Sequence, residues 1–184
     1  VGWVVGHSYI VYAPLFAGCT TILFEGKPVR TPDAGTFWRI IQDHKVNVFF
    51  TAPTGFRAMR KEDPNSELLK KYDISSLRTL FVAGERTDPP TYHWLREILQ
   101  IPVIDHWWQT ETGWPVAGNL MGLDPAGTKA GSVSFPVPGF NVQILSEAHK
   151  QEAAGEEGDV VIKLPLPPGC LPTVWGDHDR YHDA

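Results

Sequence analysis

The feature that most constrains the fold of this chain is the alternation of short apolar, β-branched runs with helical patterns of about a dozen residues. The sequence predicts strands over residues 46–50, 77–83 and 101–104, separated by segments whose apolar residues recur at helical spacing. Strands and helices that alternate in this way build βαβ units. We therefore predict an α/β fold, in which a parallel sheet is flanked by helices.

Capping residues predict where two of the helices begin. Thr31 and Pro32 have the residue types of an N-cap and a first helical position, and Asp88 and Pro89 repeat that pair. The other predicted elements of this region are a helix over 9–17, a strand over 20–24 and a helix from 54 to 60.

The pattern changes after about residue 113 to glycine, proline and short β-type runs, among them residues 139–145 and 159–163. This change predicts a small β-rich subdomain after the α/β part. We place the boundary between residues 1–129 and residues 130–184.

Composition excludes several classes of protein. A chain of 184 residues with 42% hydrophobic residues suits one globular domain with its own core. Sixteen basic and 21 acidic residues give a net charge of −5, which argues against a nucleic-acid partner. No apolar run reaches the roughly 18 residues of a membrane span. The sequence does not define the oligomeric state.

The segment DHWWQTETG at residues 105–113 is the strongest candidate site. It follows a predicted strand, and ligands of α/β sheets bind beyond the carboxyl ends of strands. By the same reasoning residues 51–54 and the Gly84-Glu85 pair emerge at that edge. The convergence of three strand ends predicts a binding site there.

The residue types in this segment suit a nucleotide or an acyl chain. Trp107 and Trp108 offer flat apolar faces, Thr110 and Thr112 are potential donors to phosphate oxygens, and Glu111 is a ligand for a hard cation. An alternative interpretation is a strand end with core tryptophans and a polar turn. Residue types alone do not separate the two.

The segment resembles the adenylate-forming signature of acyl-CoA synthetases, in the form found among short-chain members. Further segments resemble the same family in the same order, and the last two are closer to the propionyl than to the acetyl type: residues 2–9, 24–28, 51–54, 82–85, 163–169 and 173–177. The resemblance implies part of the large N-terminal domain of an adenylate-forming enzyme.

That resemblance implies an acid-thiol ligase that uses ATP, Mg2+ and coenzyme A. In such enzymes a carboxylate attacks the α-phosphorus of ATP, and the thiol of coenzyme A then displaces AMP from the acyl-adenylate. Propionate is the expected substrate, and acetate is the alternative. Another alternative, from a different class, is a non-catalytic nucleotide-binding module.

The resemblance also implies a nucleotide site. The turn Gly84-Glu85-Arg86 would cover one face of adenine, His106 and Trp107 the other, and the Asp105 backbone would lie near the adenine amino group. The complete implied set is Gly84, Glu85, Arg86, Asp105, His106, Trp107, Trp108, Gln109 and Thr110.

The resemblance implies two catalytic residues. Thr110 would donate to the α-phosphate, and Glu111 would position magnesium. The implied acyl pocket consists of Trp3, Val4, Ala83 and Trp108. In that pocket Trp108 forms the floor. Acetate-selective relatives carry valine at the Ala83 position, so alanine leaves room for another carbon. Ala83 is alternatively a small residue in a packed strand.

We expect the chain to be an internal piece of a longer protein that is inactive alone. A phosphate-binding loop with its lysine should precede it, and a ribose-binding aspartate and a catalytic lysine should follow. The bacterial cytoplasm is the expected compartment, with the mitochondrial matrix as the alternative. His178 and His182 have metal-like spacing, but a solvated end is the better interpretation.

Overall fold

A computed structural model describes residues 3–123 and 127–183, so that Gly2, the first residue of the amino-terminal motif, lies outside the described residues. The helices are a π-helix at Gly6–Tyr12, α1 at Ala13–Phe16, α2 at Thr36–His44, α3 at Pro53–Glu62, a 3-10 helix at Leu69–Lys71, α4 at Pro89–Leu99 and α5 at His178–Asp183. None of these helices, in the part of the chain that is described, is long and apolar enough to cross a bilayer.

The described residues also include short strands: β1 at Val48–Thr51, β2 at Thr79–Val82, β3 at Val103–Asp105, β4 at Ala117–Gly118, β5 at Phe135–Pro136, β6 at Asn141–Leu145 and β7 at Asp159–Lys163. The elements group into two compact units that are interleaved along the chain. We call Ile22–Trp107 with Ala117–Phe135 the α/β unit, and Val1–Thr21 with Trp108–Val116 and Pro136–Ala184 the hairpin unit. The domain boundary between residues 129 and 130 stays a prediction.

The sheet of the α/β unit has the strand order β1-β2-β3, and both strand pairs are parallel. Helices α3 and α4 lie between successive strands in the sequence, as βαβ units require. The register places Thr51 opposite Val82 and Val82 opposite Asp105. The predicted parallel sheet with flanking helices is confirmed, and its three strands end level with one another.

Helices α2, α3 and α4 bury their apolar faces in one core with the sheet. Ile41, Phe56 and Leu95 come from these helices, and Leu80 and Val103 come from the strands; none is more than 1% exposed. Burial of side chains of this size stabilises a fold by about 1.5–3 kcal/mol each. This core holds the strand ends in place.

Local capping explains the limits of α4. Asp88 accepts a hydrogen bond from the Thr91 amide at 2.9 Å, and Pro89 occupies the first turn. Gln100 ends the helix with a positive φ of 54°. The predicted start of this helix is therefore confirmed.

In the hairpin unit β6 and β7 form an antiparallel pair, with Asn141 opposite Lys163 and Leu145 opposite Asp159. The β-type run predicted at residues 159–163 is a strand with those bounds. Small antiparallel strands after the α/β elements are thus confirmed.

Two sequence-based predictions are wrong. Residues 20–24 form no strand, because no neighbouring segment among the described residues pairs with them and β-propensity alone does not make a ladder. Helix α2 begins at Thr36 rather than near Thr31. The Asp33 carboxylate accepts from the Gly35 amide at 2.8 Å, and the Thr31 hydroxyl accepts from Lys27 at 2.9 Å, so a turn precedes the helix.

Candidate functional site

The carboxyl edge of the parallel sheet carries the candidate residues of the α/β unit. Thr51, Val82 and Asp105 lie side by side at the ends of β1, β2 and β3. The turn before α3, the turn after β2 and the segment 106–107 therefore leave the sheet from neighbouring positions. The sequence prediction of converging strand ends is confirmed for these segments.

The turn after β2 begins buried and continues into solvent. Ala83 is only 5% exposed, and its amide donates to the Thr51 carbonyl at 3.3 Å. Gly84, Glu85 and Arg86 are exposed. Gly84 has φ +98°, which favours glycine, and no atom lies within 4 Å of the position where a Cβ would stand. The backbone of Gly84 is thus open to a flat ligand.

The Glu85 carboxylate is bound from the start of α3. Its Oε1 accepts from the Thr54 amide at 2.8 Å and from the Thr54 hydroxyl, and its Oε2 accepts from Arg57. Arg57 also donates to Asp88 at 3.1 Å. The Thr54 hydroxyl bond, helped by Arg57, holds the pKa of Glu85 below its ordinary value. Glu85 is therefore an anion with a fixed orientation.

Sequence reasoning missed Arg57 and Thr54 as partners of this turn. Both lie more than 25 positions before Glu85, so no local spacing links them to it. A signal was present in the charges: Arg57 lies in the helix predicted after one strand, and Glu85 and Asp88 follow the end of the next strand.

Asp105 fixes the far end of the same turn. The residue is 5% exposed, and its carboxylate accepts from the Thr87 amide at 3.2 Å. Burial raises the pKa of Asp105 despite that bond. The side chain of Asp105 faces the protein, so any contact with a ligand belongs to its backbone.

His106 and Trp107 continue from β3 in different environments. The His106 ring is buried between Phe50 and Phe81, with centroid distances of 5.2 and 5.6 Å, and its Nδ1 donates to the Val82 carbonyl at 2.9 Å. Burial lowers the pKa of His106, so the ring is neutral near pH 7. Trp107 is half-buried, and its backbone is paired with Ala117 at 2.9 and 3.2 Å.

In the hairpin unit, residues 109–113 form a turn organised by Thr112. The Thr112 hydroxyl accepts from the Gln109 amide and lies 3.0 Å from the carbonyl oxygens of Gln109 and Trp114. Thr112 is only 5% exposed. The prediction that the Thr112 hydroxyl donates to phosphate oxygens is therefore wrong, since the turn itself uses that hydroxyl.

Gln109, Thr110 and Glu111 present their side chains outward from this turn. All three are exposed, and within the described residues the Thr110 hydroxyl and the Glu111 carboxylate have no side-chain partner. Their backbone is nevertheless held, because the Glu111 carbonyl accepts from Leu171 at 2.7 Å. Ser8 donates to the Gly113 carbonyl at 3.2 Å. Free polar side chains on a fixed backbone suit ligand binding.

Trp108 contacts Tyr9 in the hairpin unit. The two rings meet edge to face at 5.3 Å, and burial raises the pKa of Tyr9 to about 12. Of the other predicted acyl-pocket residues in this unit, Trp3 is 73% exposed and Val4 is half-buried. Ala83 belongs to the α/β unit, and the pocket itself stays a prediction.

Among the described residues no group of three or more histidine, cysteine or acidic side chains is placed to hold a metal ion. His178 and His182 lie on the exposed helix α5, with their Nε2 atoms 3.0 Å apart. A single free carboxylate such as Glu111 suits magnesium, which commonly takes one or two carboxylates and completes its shell with substrate phosphates and water. The described residues fit a magnesium ion that is also bound by substrate and water, and not one coordinated by protein side chains alone.

Parallel strands with polar turns at their carboxyl edge define the class of α/β proteins that bind a ligand at that edge. The chain belongs to the AMP-binding enzyme family, whose profile matches residues 1–167.

Two bacterial relatives show how much of such a protein this chain represents. It is 58% identical, over its whole length, to an uncharacterized protein of Pseudomonas aeruginosa, of which it covers 29%. It is 48% identical over 182 residues, 98% of the chain, to the propionate–CoA ligase of Escherichia coli, of which it covers 28%. The chain thus spans less than a third of the length of either relative.

A solved structure shows the same fold. The crystal structure of the anthranilate CoA ligase AuaEII in complex with anthranoyl-AMP matches 99% of this chain with a TM-score of 0.80, at 23% sequence identity and over 33% of that protein. The predicted family and the predicted fold class are both confirmed.

Proposed function

We propose that the complete protein joins a short-chain carboxylate, with propionate preferred, to coenzyme A through an acyl-adenylate. The observation that carries this proposal is the level ending of β1, β2 and β3, which gathers the turns at Ala83 and Asp105 in a member of the AMP-binding family. The 48% identity to a protein named propionate–CoA ligase supports the choice of acid.

The α/β unit supplies the proposed adenine site. The open backbone of Gly84 and the flanking Glu85 and Arg86 would cover one face of the base, and Trp107 with His106 the other. Because the His106 ring is buried against Phe81, its part is to hold this segment in place. The Asp105 backbone would contact the amino group of the base.

The hairpin unit supplies the proposed phosphate contacts. The exposed Thr110 hydroxyl would donate to the α-phosphate, and the neighbouring Gln109 would border the nucleotide. Glu111 would hold magnesium, which when bound neutralises charge on the phosphate oxygens. Thr112 keeps the backbone of these residues in one conformation.

In the proposed reaction a propionate oxygen attacks the α-phosphorus, the bond to the bridging oxygen breaks, and pyrophosphate leaves. The thiolate of coenzyme A then attacks the acyl carbon, and AMP leaves with the oxygen that propionate brought. Neither step needs a nucleophilic side chain. The residues above act by positioning the reactants and by donating to developing negative charge.

The proposed preference for propionate over acetate depends on the residue at position 83. We propose that Ala83 lines the acyl pocket together with Trp3, Val4 and Trp108, and that Trp108 limits chain length. Alanine is buried here, so the two methyl groups that valine adds would occupy space next to the strand end. A difference of one methylene in such a pocket is worth about 1–3 kcal/mol, which corresponds to about 10 to 200-fold in selectivity.

The test is ATP–pyrophosphate exchange by the complete protein with acetate, propionate and butyrate. We expect exchange that depends on the acid and is fastest with propionate. Fastest exchange with acetate would favour the alternative ligase, and absence of exchange with all three acids would reject the proposal. Nucleotide binding without exchange would indicate a binding module.

We propose the bacterial cytoplasm as the compartment of the complete protein, and we expect no nucleic-acid partner. Fractionation of the protein to the mitochondrial matrix would support the alternative compartment.

A further inference from the structure

Helix α3 has no cap of its own. Its N-cap residue is Ala52, which has no side chain able to accept a hydrogen bond, so the first amides of the helix need a partner from elsewhere. Glu85, 31 positions further along the chain, accepts from the Thr54 amide at 2.8 Å. A carboxylate at a helix N-terminus is also favoured by the helix dipole. Glu85, in the turn after β2, thus caps the start of α3.

Arg57 links this turn to two helices at once. Its Nη2 donates to Glu85 Oε2 and lies 3.2 Å from the Thr54 hydroxyl, while its Nη1 donates to Asp88 Oδ2 at 3.1 Å. The other oxygen of Asp88 caps α4 through Thr91. One guanidinium therefore connects the start of α3, the turn and the start of α4.

Little else holds the exposed part of that turn. The Gly84 Cβ position has no atom within 4 Å, and both Glu85 and Arg86 are exposed. Arg86 reaches the Gly131 carbonyl only at 3.4 Å. At the far end the Thr87 amide is tied to buried Asp105 at 3.2 Å. Thr54 and Arg57, which both bind the Glu85 carboxylate, thus restrain the middle of the turn, and Arg57 is the one that also ties it to Asp88.

We propose that Arg57 is a positioning residue for base recognition: by holding Glu85 it sets where the Gly84 backbone meets the nucleobase, and so sustains the preference for adenine over guanine. This inference rests on the proposed function. In this proposal Arg57 acts through Glu85 and not by contact with the base or the reacting atoms. Without the guanidinium the residues of the turn are unchanged, but the turn samples more than one position.

Arg60 provides a matched control on the same helix. It also joins α3 to α4, through the Pro90 carbonyl at 3.1 Å and by lying 5.9 Å from the centre of the Trp94 ring. Both of these links run to α4 and not to residues 84–87. Arg57→Gln and Arg60→Gln therefore each remove a link between α3 and α4, and only the first also removes a link to the turn.

The experiment measures exchange by the complete protein with ATP and with GTP. We expect Arg57→Gln to raise the KM for ATP about tenfold, as loss of a hydrogen bond to a charged group does. The ATP-over-GTP preference should fall by a similar factor, while the KM for the carboxylate stays unchanged. Arg57→Lys should fall in between, because an ammonium does not span both carboxylates. Arg60→Gln should leave all three quantities unchanged.

Glu85→Gln completes a double-mutant cycle. If Arg57 acts through Glu85, the pair Arg57→Gln with Glu85→Gln should raise the KM for ATP no more than either single change. Additive effects would reject the route through Glu85. Unchanged base preference in Arg57→Gln, or an equal change in Arg60→Gln, would overturn the inference.

Failure of the proposed function is distinguishable from failure of this inference. An inactive wild-type protein rejects the function; ATP and GTP affinities measured by calorimetry then test Arg57 directly, and an unchanged affinity ratio in Arg57→Gln overturns the inference. An active wild type with an unaltered Arg57→Gln variant rejects the inference alone.

Discussion

The turn that presents Thr110 and Glu111 depends on one buried hydroxyl, and its removal has a calculable effect. Thr112→Val keeps the shape of the side chain but removes the acceptor for the Gln109 amide at 3.0 Å and the donor to one of two carbonyl oxygens. An amide left without its partner costs about 1–3 kcal/mol, and a lost hydrogen bond costs about 0.5–1.5 kcal/mol. The turn therefore loses about 1.5–4.5 kcal/mol.

That loss should appear in catalysis more than in binding. We expect Thr112→Val to lower the exchange rate of the complete protein by about tenfold or more, since about 1.4 kcal/mol corresponds to each factor of ten. Thr112→Ser keeps the hydroxyl and should stay within about threefold of the wild type. Exchange rates and urea unfolding midpoints of both variants, measured at one temperature, separate a local from a global effect. Equal rates in Thr112→Val and Thr112→Ser would refute the reasoning.

Two further substitutions test other parts of the proposed site. Ala83→Val should shift the ratio of kcat/KM for propionate over acetate toward acetate by about tenfold, and an unchanged ratio would reject Ala83 as a pocket residue. Glu111→Gln should lower exchange about 100-fold with an unchanged unfolding midpoint, whereas Glu97→Gln, an exposed change on α4, should have no effect. Near-normal exchange in Glu111→Gln would remove its role in holding magnesium.

Elements with local signals could be predicted from sequence. Asp88 and Pro89 carry the capping information for α4 within four residues, and the start of that helix is where they indicate. The parallel sheet followed from the order of elements, because βαβ connections bring successive strand ends to one edge. The prediction that Glu85 and Asp105 lie at that edge is therefore confirmed.

Features that depend on distant partners could not be predicted. Residues 20–24 have strand-forming side chains, but a strand exists only where another segment pairs with it. Thr110 and Thr112 are identical in type, and only the fold shows that Thr112 is used inside the turn. The bond between Arg57 and Glu85 spans 28 positions, so sequence spacing does not reveal it.

The claim that the complete protein forms an acyl-adenylate is tested most directly by running the proposed reaction with propionate whose carboxylate carries oxygen-18. If the carboxylate, labelled at both oxygens, attacks the α-phosphorus and coenzyme A then displaces AMP, mass spectrometry should find one labelled oxygen in each AMP released. AMP without label, formed together with acyl-CoA, would contradict the mechanism.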